Sequence, residues 1–465
     1  MRTRLKCINH LLFIIILLNS YESWCDYKIN IDNPTFRKLK TAVAKIEVKE
    51  STDLDTVQFA KKSRQKFNYY LQFTGLFDII QDYLYPSRYV HVGENLHRLK
   101  GFESYDLHEW KKNLGAEVII SIRFLKKEDK YRVEFRSVDL LSMNRVLGKA
   151  YMIKNSKDFE TVAKRYIDTL MLSLTGRRGV FQSKIVFTGR RTRNSPKHIY
   201  TCDADGSNVK QLTGGNYHHM SPSWSPGGEQ VVYTSFQFGQ PDLFLLNIKS
   251  ADVKRIAYYK GLNSGGSFSP DGKVVVYSGA RGGETDLFVT AAPYKQRKYL
   301  AGGGGITSNA SFSPDGQWLT FVSGRYGTPH IFRSRVLWKK NSNQVQVKDD
   351  KRLTYSGWYN ASPSWAPSSK VIAFAGFDKE IGRFDIFTMN YDGSNIERLS
   401  FKSGDNESPS WSPNGQQLVF QSNRNGPNGG KGPYKLYIMN KDGTEQRMLP
   451  TGLYEIQSPK WTYLK

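Results

Sequence analysis

The chain has 465 residues, 67 Lys and Arg against 42 Asp and Glu, a formal net charge of +25 and three cysteines. That length exceeds one ordinary core and predicts two or three domains, and the ordinary apolar content with abundant Tyr and Phe excludes a disordered chain. The positive charge is scattered through both halves without a long block, which reads as a solubilising surface that favours acidic partners.

The chain begins with Arg2, Arg4 and Lys6, followed by the apolar run Leu11–Leu18. Ser23 and Cys25 stand at the −3 and −1 positions of a cleavage before Asp26, so residues 1–25 read as a secretory signal peptide. An uncleaved anchor, or a lipidated Cys25, is the alternative. No other run has 18 consecutive apolar residues, so no transmembrane segment is expected in the mature chain. Cys7 and Cys25 leave with the leader, and Cys202 is left as a small buried hydrophobe in a strand pattern.

Residues 26–34 form an extended segment in which Tyr27, Ile29 and Ile31 alternate with polar residues, ahead of Pro34. It is either the first strand of a sheet or a free strand awaiting a partner. Residues 35–178 then mix strands and helices. A strand is predicted over Thr41–Val48, then a helix capped by Thr52 or Asp53 and running to Phe73, with Val57, Ala60, Phe67, Tyr70 and Leu71 on one stripe. Phe77–Ile80 is a short strand. Ser104 caps a second helix, which stops at Gly115, and three longer strands follow: Glu117–Leu125, Tyr131–Asp139 and Arg145–Ile153. A last helix from Ser156 carries Phe159, Val162, Ala163, Tyr166, Ile167, Leu170, Met171 and Leu174 on one continuous face. This order predicts a small N-terminal α/β domain.

From residue 179 onward the helical period is gone and a repeat takes over. Ser221-Pro222-Ser223-Trp224-Ser225-Pro226-Gly227 returns around Phe268, Phe312, Trp365, Trp411 and, truncated, Trp461, with anchors 44 to 53 residues apart. Within a copy the Ser-Pro-x-Gly turn separates two strands, further glycine turns follow, and third and fourth strands complete the unit, with Asp205-Gly206, Asp392-Gly393 and Asp442-Gly443 as hairpin turns. Four short antiparallel strands make one propeller blade. Residues 179–465 thus predict a six-bladed β-propeller, with a projecting hairpin at 334–349 in blade 4. The first blade lacks its inner strand and the C-terminus supplies one, so the C-terminal strand is expected to close the ring.

No catalytic, cofactor or metal site emerges from the motifs. One aromatic per repeat at a fixed register reads as inter-blade core. Asp271 and Asp315 lie in turns that elsewhere hold Gly227, Ser368 and Asn414, so they read as turn formers rather than calcium ligands. Gly302–Gly305 has no Lys-Ser/Thr behind it and is not a phosphate loop. There is no Gly-x-Ser-x-Gly elbow, zinc spacing or dinucleotide fingerprint. The segments preceding the inner strands do bring polar residues to one mouth of the central channel: His218, His219, Asn263, Asn309, Asn360 and Glu407. These are either ordinary loop polarity or a protein-docking face.

Leader, strand-like start, α/β domain, the junction Leu174-Thr175-Gly176-Arg177-Arg178-Gly179 and the Ser-Pro-x-Trp-Ser-Pro-x-Gly repeat together resemble the TolB family, the periplasmic propeller component of the Tol-Pal system. The resemblance implies a non-enzymatic, monomeric periplasmic adaptor that binds neither nucleic acid nor a cofactor. It would bind the lipoprotein Pal through the channel mouth (His218, His219, Asn263, Asn309, Asn360, Glu407) and TolA through the N-terminal segment (Tyr27, Ile29, Ile31, Asp32). Its role would be to support outer-membrane integrity and constriction at division. A secreted propeller enzyme or a carbohydrate-binding propeller is the alternative.

Overall fold

A computed structural model describes residues 28–29, 37–44, 47–49, 54–85, 107–339, 344–401, 404–424, 426 and 431–463. In the α/β domain the strands are β1 (Leu39–Val43), β2 (Glu47–Lys49), β3 (Phe77–Ile79), β4 (Val118–Lys127), β5 (Lys130–Asp139) and β6 (Asn144–Ile153). Helices α1 (Leu54–Phe73), α2 (Leu107–Leu114) and α3 (Ser156–Thr175) accompany them. The sheet order is β3-β1-β4-β5-β6, parallel on the β1 side and antiparallel from β4 onward. The single strand expected over Thr41–Val48 is divided: β1 pairs with the start of β4 and β2 with Arg123–Leu125 of the same strand.

Both faces of the sheet are covered. Phe67, Tyr70 and Leu71 of α1 and Phe159, Tyr166, Ile167 and Leu170 of α3 pack on one face, while Leu107 and Trp110 of α2 pack on the other. The α1 stripe differs from expectation at one residue. Val57 is 44% exposed, and Thr56, Ala60 and Ser63 are the buried positions of that end. A helix turns about 100° per residue, so a one-residue displacement carries a side chain off the buried face. All eight apolar residues expected on the face of α3 are buried. Asn155 caps α3, its Oδ1 accepting from the Asp158 N–H at 3.0 Å, and Gly176 ends it in the left-handed region at φ 72°. The expected caps at Thr52, Asp53 and Ser104 lie outside the described residues, as do most of the N-terminal segment and the leader.

Beyond the junction stand six four-stranded antiparallel sheets. Their inner strands are His219–Trp224, Asn263–Phe268, Thr307–Phe312, Tyr359–Trp365, Asn406–Trp411 and Glu455–Tyr463. The last of these pairs antiparallel with Ser183–Arg190, so the C-terminus supplies the inner strand of blade 1 and closes the ring. The anchors Trp224, Phe268, Phe312, Trp365, Trp411 and Trp461 are all buried. The projecting hairpin in blade 4 is two paired strands, His330–Trp338 and Val345–Arg352, with Trp338 folded back onto Phe312 at 5.8 Å between ring centres. In the Ser-Pro-Asp-Gly turns, Asp271 Oδ1 accepts from Ser269 Oγ at 2.6 Å and from the Lys273 N–H at 3.1 Å, a turn-forming role. Cys202 is fully buried, and burial pushes its thiol pKa up.

The two domains share one apolar cluster that runs from α1 and α3 through Val180 and Phe181 to Ile185, Phe187 and Trp461. The α/β domain sits against the turn end of the ring. Phe73 O, at the end of α1, accepts from Gln417 Nε2 at 2.5 Å and from Arg447 Nη2 at 2.8 Å, and Arg177 Nη1 donates to Asn414 O at 3.2 Å. A cation at a helix C-terminus is favoured by the helix dipole. The channel mouth, where the inner strands begin, therefore lies on the opposite side of the ring.

Asp168 fixes the junction between the domains. It is fully buried and accepts from the backbone N–H groups of Phe181 at 3.1 Å and Gln182 at 3.0 Å. Desolvation by burial raises its pKa to about 6 in spite of these bonds. Because the folded value lies above the unfolded one, this group favours the fold most below about pH 4, and that contribution is lost as the pH rises through about 6. Asp168→Asn is therefore expected to flatten the pH dependence of stability between about 4 and 6, by on the order of 3 kcal/mol over that window, in denaturant titrations at stepped pH; an unchanged slope would place the titration elsewhere. Deleting residues 458–465 removes the Trp461 anchor and most of the closing strand, and is expected to cost at least the roughly 3–5 kcal/mol of a large buried aromatic and to lower the melting temperature sharply. An unchanged melting temperature would refute closure as a source of stability.

Candidate functional site: the channel mouth and the inner strands

The inner strands share a distortion that motif reading does not reveal. In each blade the pairing with the second strand shifts register three or four residues before the anchor. The residue at the shift has positive φ in all six: Ser221 at 53°, Gly265 at 68°, Asn309 at 52°, Ser362 at 53°, Ser408 at 53° and Ser458 at 52°. A bulge inserts one residue and so reverses the side-chain alternation beyond it. That is why His219 and Trp224, five positions apart and of opposite parity in a regular strand, are both buried in the wall.

The bulge divides the expected mouth residues into two sets. His219, Asn263 and Asn360 occupy the wall position, 3%, 0% and 3% exposed, and are corrected here from surface contacts to internal struts. Asn263 Nδ2 donates to the carbonyls of Tyr259 at 2.6 Å and of Pro241 and Gly261 at 3.3 Å. Asn360 Nδ2 donates to Ser356 O at 2.9 Å and to His330 Nδ1 at 3.1 Å. His219 Nε2 donates to Gly214 O at 3.0 Å, and burial lowers its pKa. Asn406 and Thr307 hold the same register in blades 6 and 4 and are buried as well. In contrast, Asn309 is exposed and lines the channel. Glu407 is half-buried and accepts from Tyr434 Oη; burial raises its pKa. His218 Nδ1 accepts from the Lys197 N–H at 3.0 Å.

The remaining carboxylates at this mouth are engaged. Asp405 accepts from Lys431 Nζ at 2.8 Å, Asn423 Nδ2 at 3.0 Å and the Phe384 N–H at 3.1 Å. Glu455 is paired with Arg190 at 2.5 Å. Further into the blades, Asp242 and Asp385, at and near the starts of third strands, are bound to Arg255 and Arg398 of their own fourth strands. These acids are spent on holding blades together. Glycine has the same kind of work at 302–305, where the amides of Gly304 and Gly305 donate to Glu284, and Gly303 N–H donates to Asp286 Oδ1, each at 3.3 Å. A loop whose amides already serve carboxylates is not available to a phosphate.

Of the N-terminal residues named as a partner segment, Tyr27, Ile31 and Asp32 lie outside the described residues. Ile29 does not sit at a sheet edge. Its N–H donates to Leu174 O, near the end of α3, at 2.8 Å, and its side chain packs on the cluster shared by both domains. Lys28 lies over Gly176, the cap of the same helix. The strut assignment is checked by Asn263→Ala, expected to destabilise by about 1–3 kcal/mol through the unsatisfied carbonyls it leaves, against a near-neutral Asn309→Ala in the same denaturation assay.

The family model described as TolB beta propeller domain matches residues 172–465. The Tol-Pal system protein TolB of Desulfosudis oleivorans is 29% identical over 223 residues, 48% of each chain. That of Syntrophus aciditrophicus is 30% identical over 241 residues, 51% of each. The chain thus spans about half the length of the curated relatives it matches. The structure of TolB from Acinetobacter baumannii is similar in fold, with a TM-score of 0.72 at 23% identity, covering 92% of this chain and 98% of that one. With the matched residues covering the whole ring and the end of the helix before it, the chain belongs to the TolB beta propeller family.

Proposed function

We propose that this protein is a periplasmic adaptor of a Tol-Pal system, joining two partners without catalysing a reaction. The observation that supports the reading is the separation of two surfaces. The channel mouth faces away from the α/β domain, while the N-terminal segment is held at Ile29 against the end of α3, where the chain enters the propeller. The first region suits Pal, through His218, Asn309 and Glu407 with the neighbouring loops. The second suits TolA, through residues 26–33. The relatives' printed names support the system, and the leader expected over residues 1–25 supports the compartment. In this role the protein would support outer-membrane integrity and constriction at division.

The docking of Ile29 refines the mechanism. Among the described residues, Ile29 meets the helix end through a backbone hydrogen bond and its apolar side chain. Once released, an alternating strand is suited to adding to a partner's sheet. A ligand on the propeller would alter that release only by binding the docked and free states with different affinity. The helix end and junction provide a physical route for such a difference, because α3, Phe181 and Trp461 share one core. The alternative of a propeller enzyme needs unengaged carboxylates in the channel, and Asp405 and Glu455 are ion-paired.

Deletion of residues 26–33 is expected to abolish capture of purified TolA and leave Pal binding within two-fold. Glu407→Lys and His218→Asp are expected to weaken Pal at least ten-fold and spare TolA. Loss of both partners, or of neither, in either experiment overturns the division of labour.

A further inference from the structure

The inner strands enclose a cavity of about 240 Å³ along the ring axis. The residue immediately before each aromatic anchor lines it. In five blades that residue is serine: Ser223, Ser267, Ser311, Ser364 and Ser410. In the closing strand it is Lys460. The repeat thus places a ring of hydroxyls around the axis and breaks it at one position with a cation. Lys460 is the only charged residue among those lining the cavity, and it forms no salt bridge with any described residue.

The surroundings make that cation consequential. Lys460 is partly exposed toward the hollow axis, and desolvation by the surrounding ring lowers its pKa to about 8. A partly desolvated charge without a counter-charge is costly, and an anion entering the channel relieves the cost. Ser364 and Ser410 are 8% and 5% exposed. Ser410 Oγ accepts from the Trp461 N–H at 3.1 Å, which leaves its own hydroxyl hydrogen to donate. Up to their anchors, the inner strands carry only four other titratable groups, His219, Tyr359, Glu407 and Glu455, all at the mouth end. The cavity is smaller than the roughly 300–1,000 Å³ of drug-sized pockets, so it suits a small anion or one acidic side chain.

We propose that the propeller channel is a carboxylate-binding site, with Lys460 as the charge and the serine ring as hydroxyl donors. The site takes a free small carboxylate or the side chain of an Asp or Glu offered by a docking polypeptide. It does not depend on which proteins dock at the mouth, so it stands or falls separately from the Tol-Pal reading.

The test uses the mature chain, residues 26–465, labelled for NMR. Sodium acetate is titrated against sodium chloride at constant ionic strength. The expected result is a saturable shift of the Lys460 side-chain signal and of the Gly265 and Gly266 amides, with the Lys460 pKa rising above its acetate-free value. Lys460→Ser restores the residue found in the other five blades and is expected to weaken acetate binding at least ten-fold with an unchanged melting temperature; Lys460→Met is the second variant should serine perturb the closing strand. An end-blocked Gly-Asp-Gly peptide separates the two sources. Binding at least as tight as acetate assigns the site to a polypeptide side chain, and binding of acetate alone assigns it to free carboxylates. A non-saturating shift, an unmoved Lys460 pKa, or equal acetate binding by Lys460→Ser overturns the proposal.

Discussion

The antiparallel pairing of Glu455–Tyr463 with Ser183–Arg190 joins the two ends of the propeller sequence, and the other contacts of the ring presuppose it. Until the last strand arrives, blade 1 lacks an inner strand and the ring has two open edges, with unpaired amides and carbonyls that water or another chain would take. Once it arrives, Trp461 fills the wall, its Nε1 donates to Ser183 Oγ at 2.7 Å, and Glu455 meets Arg190. The same strand carries Lys460 into the channel. Closure, core and the one charge on the axis therefore arrive together in nine residues.

A repeat so regular in sequence is held by a local irregularity. Each inner strand adopts a left-handed residue at its bulge, an arrangement that costs a non-glycine residue on the order of 1–2 kcal/mol, and five of the six use Ser or Asn there. The return is geometric. The bulge lets a single strand bury a polar strut, bury an aromatic anchor, and still turn small residues toward the axis. The buried polar residues cross-link the blade edges through backbone carbonyls, and the Asp–Arg pairs do the same on the third and fourth strands. A scaffold fixed in this way leaves its loops free to vary, which is where a docking surface has to be.

The α/β domain is joined to this scaffold by more than a linker. A shared core, the end of α1 bonded to Gln417 and Arg447, and Asp168 at the turn of the chain make the junction rigid. Gly179 is part of that constraint, since a Cβ there would overlap the Asp168 carboxylate. Ile29 is attached beside this junction, its N–H bonded to Leu174 O and its side chain on the shared cluster.

Sequence by itself determined the number of blades, the anchors, the turns, the closing strand and the apolar face of α3, because period, glycine and proline placement and amphipathic spacing are local properties that survive in one dimension. It also named a channel mouth. It did not separate Asn263 and Asn360 from Asn309, because the parity of a strand is lost at a bulge and a Ser-Pro pair carries no sign of one. Alternation at Tyr27, Ile29 and Ile31 left open a first strand of a sheet or a free strand awaiting a partner, and could not show that Ile29 meets the end of α3, a contact made by the core available there. Lys460 stood in plain view one residue before the last anchor. Only the closed ring gave it meaning, since six strands distant in sequence must meet around an axis before one lysine can face five serines.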